Sequence, residues 1–154
     1  MDYIVQKCVE LGAVKIIPVI TKRAVSRPSD GEKKVQRWQK IAAEAAKQCG
    51  RGIIPEIGAV LSFDEAIAEM TSEIALCLMP YECEGEVKLR DILVSEKKKR
   101  INIFIGPEGG FDDIEAAVAR NHGVKTVTLG PRILRTETAP LAAITAVMYE
   151  CGDW

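Results

Sequence analysis

Histidine is almost missing from this chain: His122 is the only one, and the five cysteines (Cys8, Cys49, Cys77, Cys83 and Cys151) contain no CxxC pair. One imidazole leaves little room for a His-based triad or a His-rich metal site. An odd number of scattered cysteines reads as reduced thiols in a cytoplasmic protein without a zinc site. No apolar run approaches the roughly 20 residues that span a bilayer, and Met1-Asp2 opens into a helical pattern rather than a basic, then apolar leader. The one glycine-rich stretch, GPEGG at 106–110, matches neither GxxxxGK[ST] nor GxGxxG.

What is present describes one globular domain over residues 1–154. Hydrophobic residues make up 47% and charged residues 28%, enough of each for a packed core and a solvated surface. Net charge is −1 but unevenly placed: residues 1–51 carry 11 Lys/Arg against 5 Asp/Glu, and residues 52–154 carry 10 against 17. That asymmetry suits a polyanion at the first third of the chain, and equally suits ordinary surface patterning.

Apolar positions at helical spacing predict a helix over 2–12, stopped by Gly12. KIIPVI at 15–20 reads as a short strand in which Pro18 marks an edge or an irregularity. A basic loop with Arg23 and Arg27 follows. Residues 32–51 form the clearest helix, with Val35, Trp38, Ala42, Ala45 and Cys49 on one stripe and Lys33, Arg37, Lys40, Lys47 and Arg51 opposite. Such a basic face can track phosphates or merely be solvated, and Trp38 belongs with the core. Beyond an extended piece at 53–60, Ser62 and Glu65 form a capping box for a helix from Phe63. Strands at 74–79, 101–105 and 124–129 then alternate with helices at 87–94, 112–121 and 139–151, which predicts an α/β domain with a mainly parallel sheet. His122 falls at a helix end.

Ligands of such sheets sit beyond the carboxyl ends of the strands, here Met79-Pro80, Gly106–Gly110 and Gly130–Thr138. The GPEGG loop is a poor phosphate site, because Glu108, Asp112 and Asp113 crowd the following helix and no Lys or Arg occurs between Ile101 and Val118. A neutral or cationic ligand could lie against its glycine backbone; a tight turn whose acids offset the helix dipole fits as well. The 132–138 stretch, RILRTET, is harder to explain structurally. Thr138 can cap the last helix and Pro140 suits its first turn, but Arg132 and Arg135 need either ion-pair partners, with Glu137 and Glu108 as candidates, or a charged task. Tyr81, just past a strand end, could wall a crevice there.

At IGPEGGF and LGPRILRTETA, with QKCVELGAVKIIPVITKRAVS and RWQKIAAEAAKQCGRGIIPEI upstream, the sequence resembles the RsmE family of bacterial 16S ribosomal RNA uridine-N3 methyltransferases, in the SPOUT superfamily. The resemblance covers nearly the whole chain, without the N-terminal PUA-like barrel that the family carries. It implies a C-terminal deep trefoil knot, a cytoplasmic homodimer, a role in ribosome biogenesis, and S-adenosylmethionine as cofactor. It further implies cofactor contacts from Leu78, Pro80, Gly106, Glu108, Gly109, Gly110, Leu129, Gly130, Ile133, Leu134, Arg135 and Thr138. Arg135, Arg132 and Glu137 become the candidates for chemistry, and Arg23, Arg37, Gln48 and Arg51 those for contacts to 16S ribosomal RNA or the small subunit. No metal is expected. Two alternatives stand beside this reading: a non-catalytic RNA-binding or ribosome-assembly module on the same fold, and a nucleotide-phosphate enzyme.

Overall fold

The computed structural model describes residues 1–25, 30–96 and 99–152. Arg27 lies outside the described residues. Thirteen elements follow one another among them: α1 Asp2–Glu10, β1 Lys15–Ile16, β2 Val19–Ile20, α2 Gly31–Gln48, β3 Glu56–Ile57, β4 Leu61–Ser62, α3 Phe63–Thr71, β5 Leu76–Pro80, α4 Leu89–Ser95, β6 Ile101–Ile103, α5 Asp113–Asn121, β7 Lys125–Val127 and α6 Ala139–Cys151.

Every strand pairing is parallel. β5 lies between β6 and β7, with Leu78 opposite both Ile103 and Lys125. The chain leaves β5 for β6 on one side and then crosses to β7 on the other, so β5 is the topological switch point. Its alternating side chains feed two cores. Cys77 and Met79 face a cluster with Phe63, Ile67, Phe104 and Phe111, whereas Leu76 and Leu78 join Leu89, Leu93 and Val127 on the opposite face. A third cluster packs Val5 and Val9 of α1 against Trp38, Ala42 and Ala45 of α2, over Ile57.

Pro18 acts as an interruption rather than an edge residue. The expected strand at 15–20 is two short strands, β1 paired with β3 and β2 with β4, because the prolyl nitrogen has no hydrogen to continue the ladder. The sequence pattern did not show β4. Ile74 was expected inside a strand, but β5 begins at Leu76 and Ile74 is 89% exposed. The Ser62–Glu65 capping box forms as expected, with both reciprocal bonds present. Trp38 is buried, and its indole nitrogen donates to Asp2 Oδ1 at 3.0 Å. His122 caps the end of α5.

α1 stops in a Schellman motif. Gly12 has φ +103°, its amide donates to the Val9 carbonyl, and the Ala13 amide donates to that of Cys8. A Cβ on Gly12 would lie 2.9 Å from Met148 Cε on α6, so this turn also sets how closely α1 approaches α6. Gly12→Ala is expected to cost about 1–2 kcal/mol, read as a lower urea midpoint with an unchanged slope. An unaltered midpoint would show that the α1–α6 junction relaxes freely.

Candidate functional site

The three strand ends converge. The loops after β5, β6 and β7 line one crevice of about 1250 Å³, joined by residues from the beginning of α4 and from α6. Of the residues named as candidate cofactor contacts, Pro80, Gly106, Glu108, Gly109, Gly110, Leu129, Gly130, Ile133, Leu134 and Arg135 line it, as do Arg132 and Glu137. Leu78 and Thr138 do not. Leu78 is wholly buried in β5, two residues before the strand end, and its side chain belongs to the core. Thr138 occupies the N-cap position of α6 but is exposed and makes no side-chain cap bond, so the helix start rests on backbone bonds to the Arg135 carbonyl, with Pro140 in its first turn.

The glycine loop is held from beneath and from both sides. Phe111, 1% exposed, anchors it in a triad of rings with Phe104 (5.0 Å) and Phe63 (6.5 Å), worth roughly 1.5–3 kcal/mol in burial of the one side chain. Gly106 lies over that ring, where a Cβ would come within 3.2 Å of it. Thr136 Oγ1 donates to the Gly106 carbonyl at 3.3 Å, which joins the β7 loop to the β6 loop. On the far side, Arg23 Nη1 donates to the Gly109 carbonyl at 3.1 Å and Lys22 Nζ reaches Asp112 at 3.0 Å. The cations missing from the local sequence thus arrive from the loop after β2. Both are committed to the scaffold.

The acids around this loop divide by role. Asp112 caps α5 in a capping box with Glu115, and the Lys22 ammonium, then the Ile114 amide, hold its carboxyl below the usual range. Asp113 accepts the Tyr81 hydroxyl at 2.6 Å, a bond that, with burial, pushes the phenol pKa up. Tyr81 does wall the crevice. Glu82 and Glu108 are exposed in it, and Glu82 occupies the space over Gly110, where a Cβ would fall 1.8 Å from Glu82 Oε1. Gly110 has φ +66°. Only glycine permits both that backbone and that approach.

The loop after β7 brings the arginines. Arg132 and Arg135 are exposed, and among the described residues neither forms an ion pair. Pairing to Glu137 or Glu108, the structural explanation open at the sequence level, is not observed. The crevice lining therefore carries exposed acids, Glu82 and Glu108, as well as unpaired arginines.

The four RNA candidates do not form one surface. Arg23 is bonded to the glycine loop. Arg37 is exposed on α2 but paired with Asp2, and Gln48 is exposed at the end of that helix. Arg51 is a structural residue: its guanidinium binds the carbonyls of Val9 (2.9 Å) and Ala13 (2.6 Å) at the end of α1. A distant helix end with unsatisfied carbonyls recruited it, which spacing along α2 could not reveal. Missed altogether were Glu82, Glu84, Lys88 and Arg90, all lining the crevice from the segment after β5. The stretch YECEGEVKLR reads in sequence as an acidic loop and a helix start, and its backbone bonds to Val127 and Thr128 bring it to the site.

A family described as an RNA methyltransferase domain matches residues 1–148. The chain belongs to that family. It is 39% identical to the ribosomal RNA small subunit methyltransferase E of Bacillus subtilis, over 97% of this chain and 61% of the relative. Among solved structures, a ribosomal RNA small subunit methyltransferase E from Neisseria gonorrhoeae bound to S-adenosylmethionine superposes with a TM-score of 0.89 at 40% identity, covering 98% of this chain and 61% of that one. A putative methyltransferase from Legionella pneumophila, also with that cofactor bound, gives 0.89 at 34%, covering 100% and 62%. The domain spans about 61% of the length of such relatives. Its mixed α/β fold with parallel strands is consistent with the SPOUT-type knotted fold of these homologues.

Glu84 fixes the segment after β5. Its carboxylate accepts from the Val87 and Glu86 amides, both at 3.1 Å, and from Thr126 Oγ1 at 2.9 Å on β7. The Val87 amide and Thr126 hydroxyl lead in holding its carboxyl below 4.5. A depressed carboxyl stabilises the fold above its unfolded pKa and loses that contribution as pH falls through the folded one. Glu84→Gln is expected to lower Tm by about 2–4 °C at pH 7, and the gap to wild type should close as pH drops below 4.5. A gap independent of pH would mean that the ionised carboxylate does not hold the loop.

Proposed function

We propose that this domain binds S-adenosylmethionine in the crevice and transfers its methyl group to N3 of a uridine in 16S ribosomal RNA of the small subunit. The observation that carries this reading is the pair of unpaired arginines, Arg132 and Arg135, in a 1250 Å³ crevice that the glycine loop and the acids Glu82 and Glu108 also line. The residues fit such a cofactor. Bare backbone at Gly106, Gly109, Gly110 and Gly130, with Leu129 and Leu134 beside it, offers amides and carbonyls to a flat base and a ribose. Glu82 and Glu108 suit a ligand of positive charge and oppose a phosphate.

When bound, the cofactor supplies an electrophilic methyl on a sulfonium, which leaves as a thioether once the methyl carbon bonds to N3. Before that bond can form, N3 must lose its proton, and the flanking carbonyl oxygens then carry negative charge. Arg135, with Arg132, stabilises that charge; Glu137 orients an arginine or takes the proton. Arg37 and Gln48 on α2 contribute RNA contacts that position phosphates without reading sequence.

The proposal includes a homodimer in the cytoplasm. Supporting the dimer, α6 is apolar along most of its length, yet only Pro140 and Ala143 are fully buried, and Tyr149 (76%) and Tyr3 (52%) are exposed. A helix apolar on all sides is ordinarily covered. Among the described residues no helix is long and apolar enough to cross a membrane.

Calorimetric titration should show saturable binding of S-adenosylmethionine and none of ATP. In a methyl-transfer assay, Arg135→Ala should lower kcat about 100-fold, with Glu137→Gln also impaired. Wild-type rates in both would remove these residues from the chemistry.

A further inference from the structure

Several cations among the described residues are paired with a nearby acid: Lys7 with Glu10, Lys15 with Glu56 and Glu69, Lys22 with Asp112, Arg100 with Glu73, Lys125 with Glu96. The crevice rim is different. Lys88, Arg90 and Arg132 line it, all are exposed, and among the described residues none of their side chains forms an ion pair or hydrogen bond. Two separate segments supply them, and the backbone locks these together. Lys88 forms a parallel bridge with Thr128, the Thr128 amide donates to the Val87 carbonyl at 2.8 Å, and the Leu89 amide donates to the Thr128 carbonyl at 3.2 Å. Lys88 is therefore fixed beside the root of the loop that carries Arg132. Leu89 is buried in the core between Lys88 and Arg90 and pins both.

Among the described residues none of the acids of that segment pairs with them: Glu84 already faces two amides and the Thr126 hydroxyl, and Glu86 and Asp91 form no ion pair. A polyanion approaching this part of the rim meets unpaired cations from two segments.

We infer that Lys88 and Arg90, beside the loop that carries Arg132, form a phosphate grip that seats the RNA strand next to the nucleotide entering the crevice. This inference rests on the methyl-transfer reading and adds to it where the strand lies. Lysine serves as a point charge and arginine as a planar fork suited to phosphate oxygens. The grip sets position and approach, and leaves sequence to be read elsewhere. Of the other cations considered for RNA, Arg37 pairs with Asp2 and Arg51 is bound to carbonyls of α1.

The test is fluorescence anisotropy of a labelled single-stranded RNA dodecamer with a central uridine, titrated with the whole domain across a range of salt concentrations. S-adenosylmethionine affinity is measured calorimetrically on the same samples. For Lys88→Ala/Arg90→Ala, the slope of log affinity against log salt should be shallower by about 1.4, since each phosphate contact to a single strand contributes about 0.7. Cofactor affinity should stay at the wild-type value. The charge-conserving pair Lys88→Arg/Arg90→Lys should keep the wild-type slope. An unchanged slope in the alanine pair, a loss of cofactor affinity in that pair, or no RNA binding by the wild type would each overturn the grip. Failure of the wild type to bind cofactor would instead sink the methyl-transfer reading, while the slopes still decide the grip.

Discussion

The parallel ladder that places β5 between β6 and β7 is the constraint on which the rest of the molecule depends. Because both neighbours run in the same direction as β5, all three strands deliver their carboxyl ends to one edge, and the loops that leave them have to share one space. The order β6-β5-β7 adds the reversal of direction that opens a crevice rather than a closed surface. Helices α3 and α5 cover one face through Met79 and the phenylalanine triad, while α4 and α6 cover the other through Leu78 and Val127. The crevice opens beyond the carboxyl ends of the strands, with α4 and α6 contributing to its lining.

Holding that space open requires loops that do not collapse into it. Each is tied by groups at its root, so its tip stays available: Phe111 beneath Gly106, Thr136 onto the Gly106 carbonyl, Arg23 onto Gly109, and the Val87–Thr128 bonds between the β5 and β7 loops. The charges follow the same division. Asp112, Asp113 and Glu84 are consumed in caps and hydrogen bonds that fix the loops, whereas Glu82, Glu108, Arg132 and Arg135 project into the crevice without ion pairs among the described residues. A crevice lined by both exposed acids and unpaired arginines suits a ligand that is cationic at one end and meets an anion at the other, the electrostatic demand of the proposed transfer of a methyl group from a sulfonium to a deprotonated base.

Much of this was legible in the chain because its signals are local. The helix-stop at Gly12, the Ser62–Glu65 box, the 139–151 helix and the three strand ends all rest on neighbours within a few residues, and all appear in the structure. The site residues drawn from Gly106–Gly110 and Leu129–Arg135 line the crevice for the same reason: a loop that follows a parallel strand has one place to go. What was not legible depends on partners distant in sequence. Arg51 looked like one more cation on a helix face until α1 presented its carbonyls. Glu82, Lys88 and Arg90 looked like an acidic loop and a helix start until the bridge to Thr128 carried them to the rim. Pro18 announced an irregularity, but not that each half of its strand would find a separate partner. Thr138 had the residue type of a cap without the geometry.

The central claim is that the ligand lies against bare glycine backbone, at a point where Gly110 must be left-handed and Glu82 occupies the space a side chain would need. It is tested most directly by titrating Gly110→Ala with S-adenosylmethionine beside the wild type. A methyl group there forces either the backbone out of φ +66° or the Glu82 carboxylate out of its position. The account expects affinity to fall on the order of tenfold or more, about 1.4 kcal/mol, in a variant that remains folded. Wild-type affinity in that variant would contradict it, and would place the cofactor somewhere other than the glycine loop.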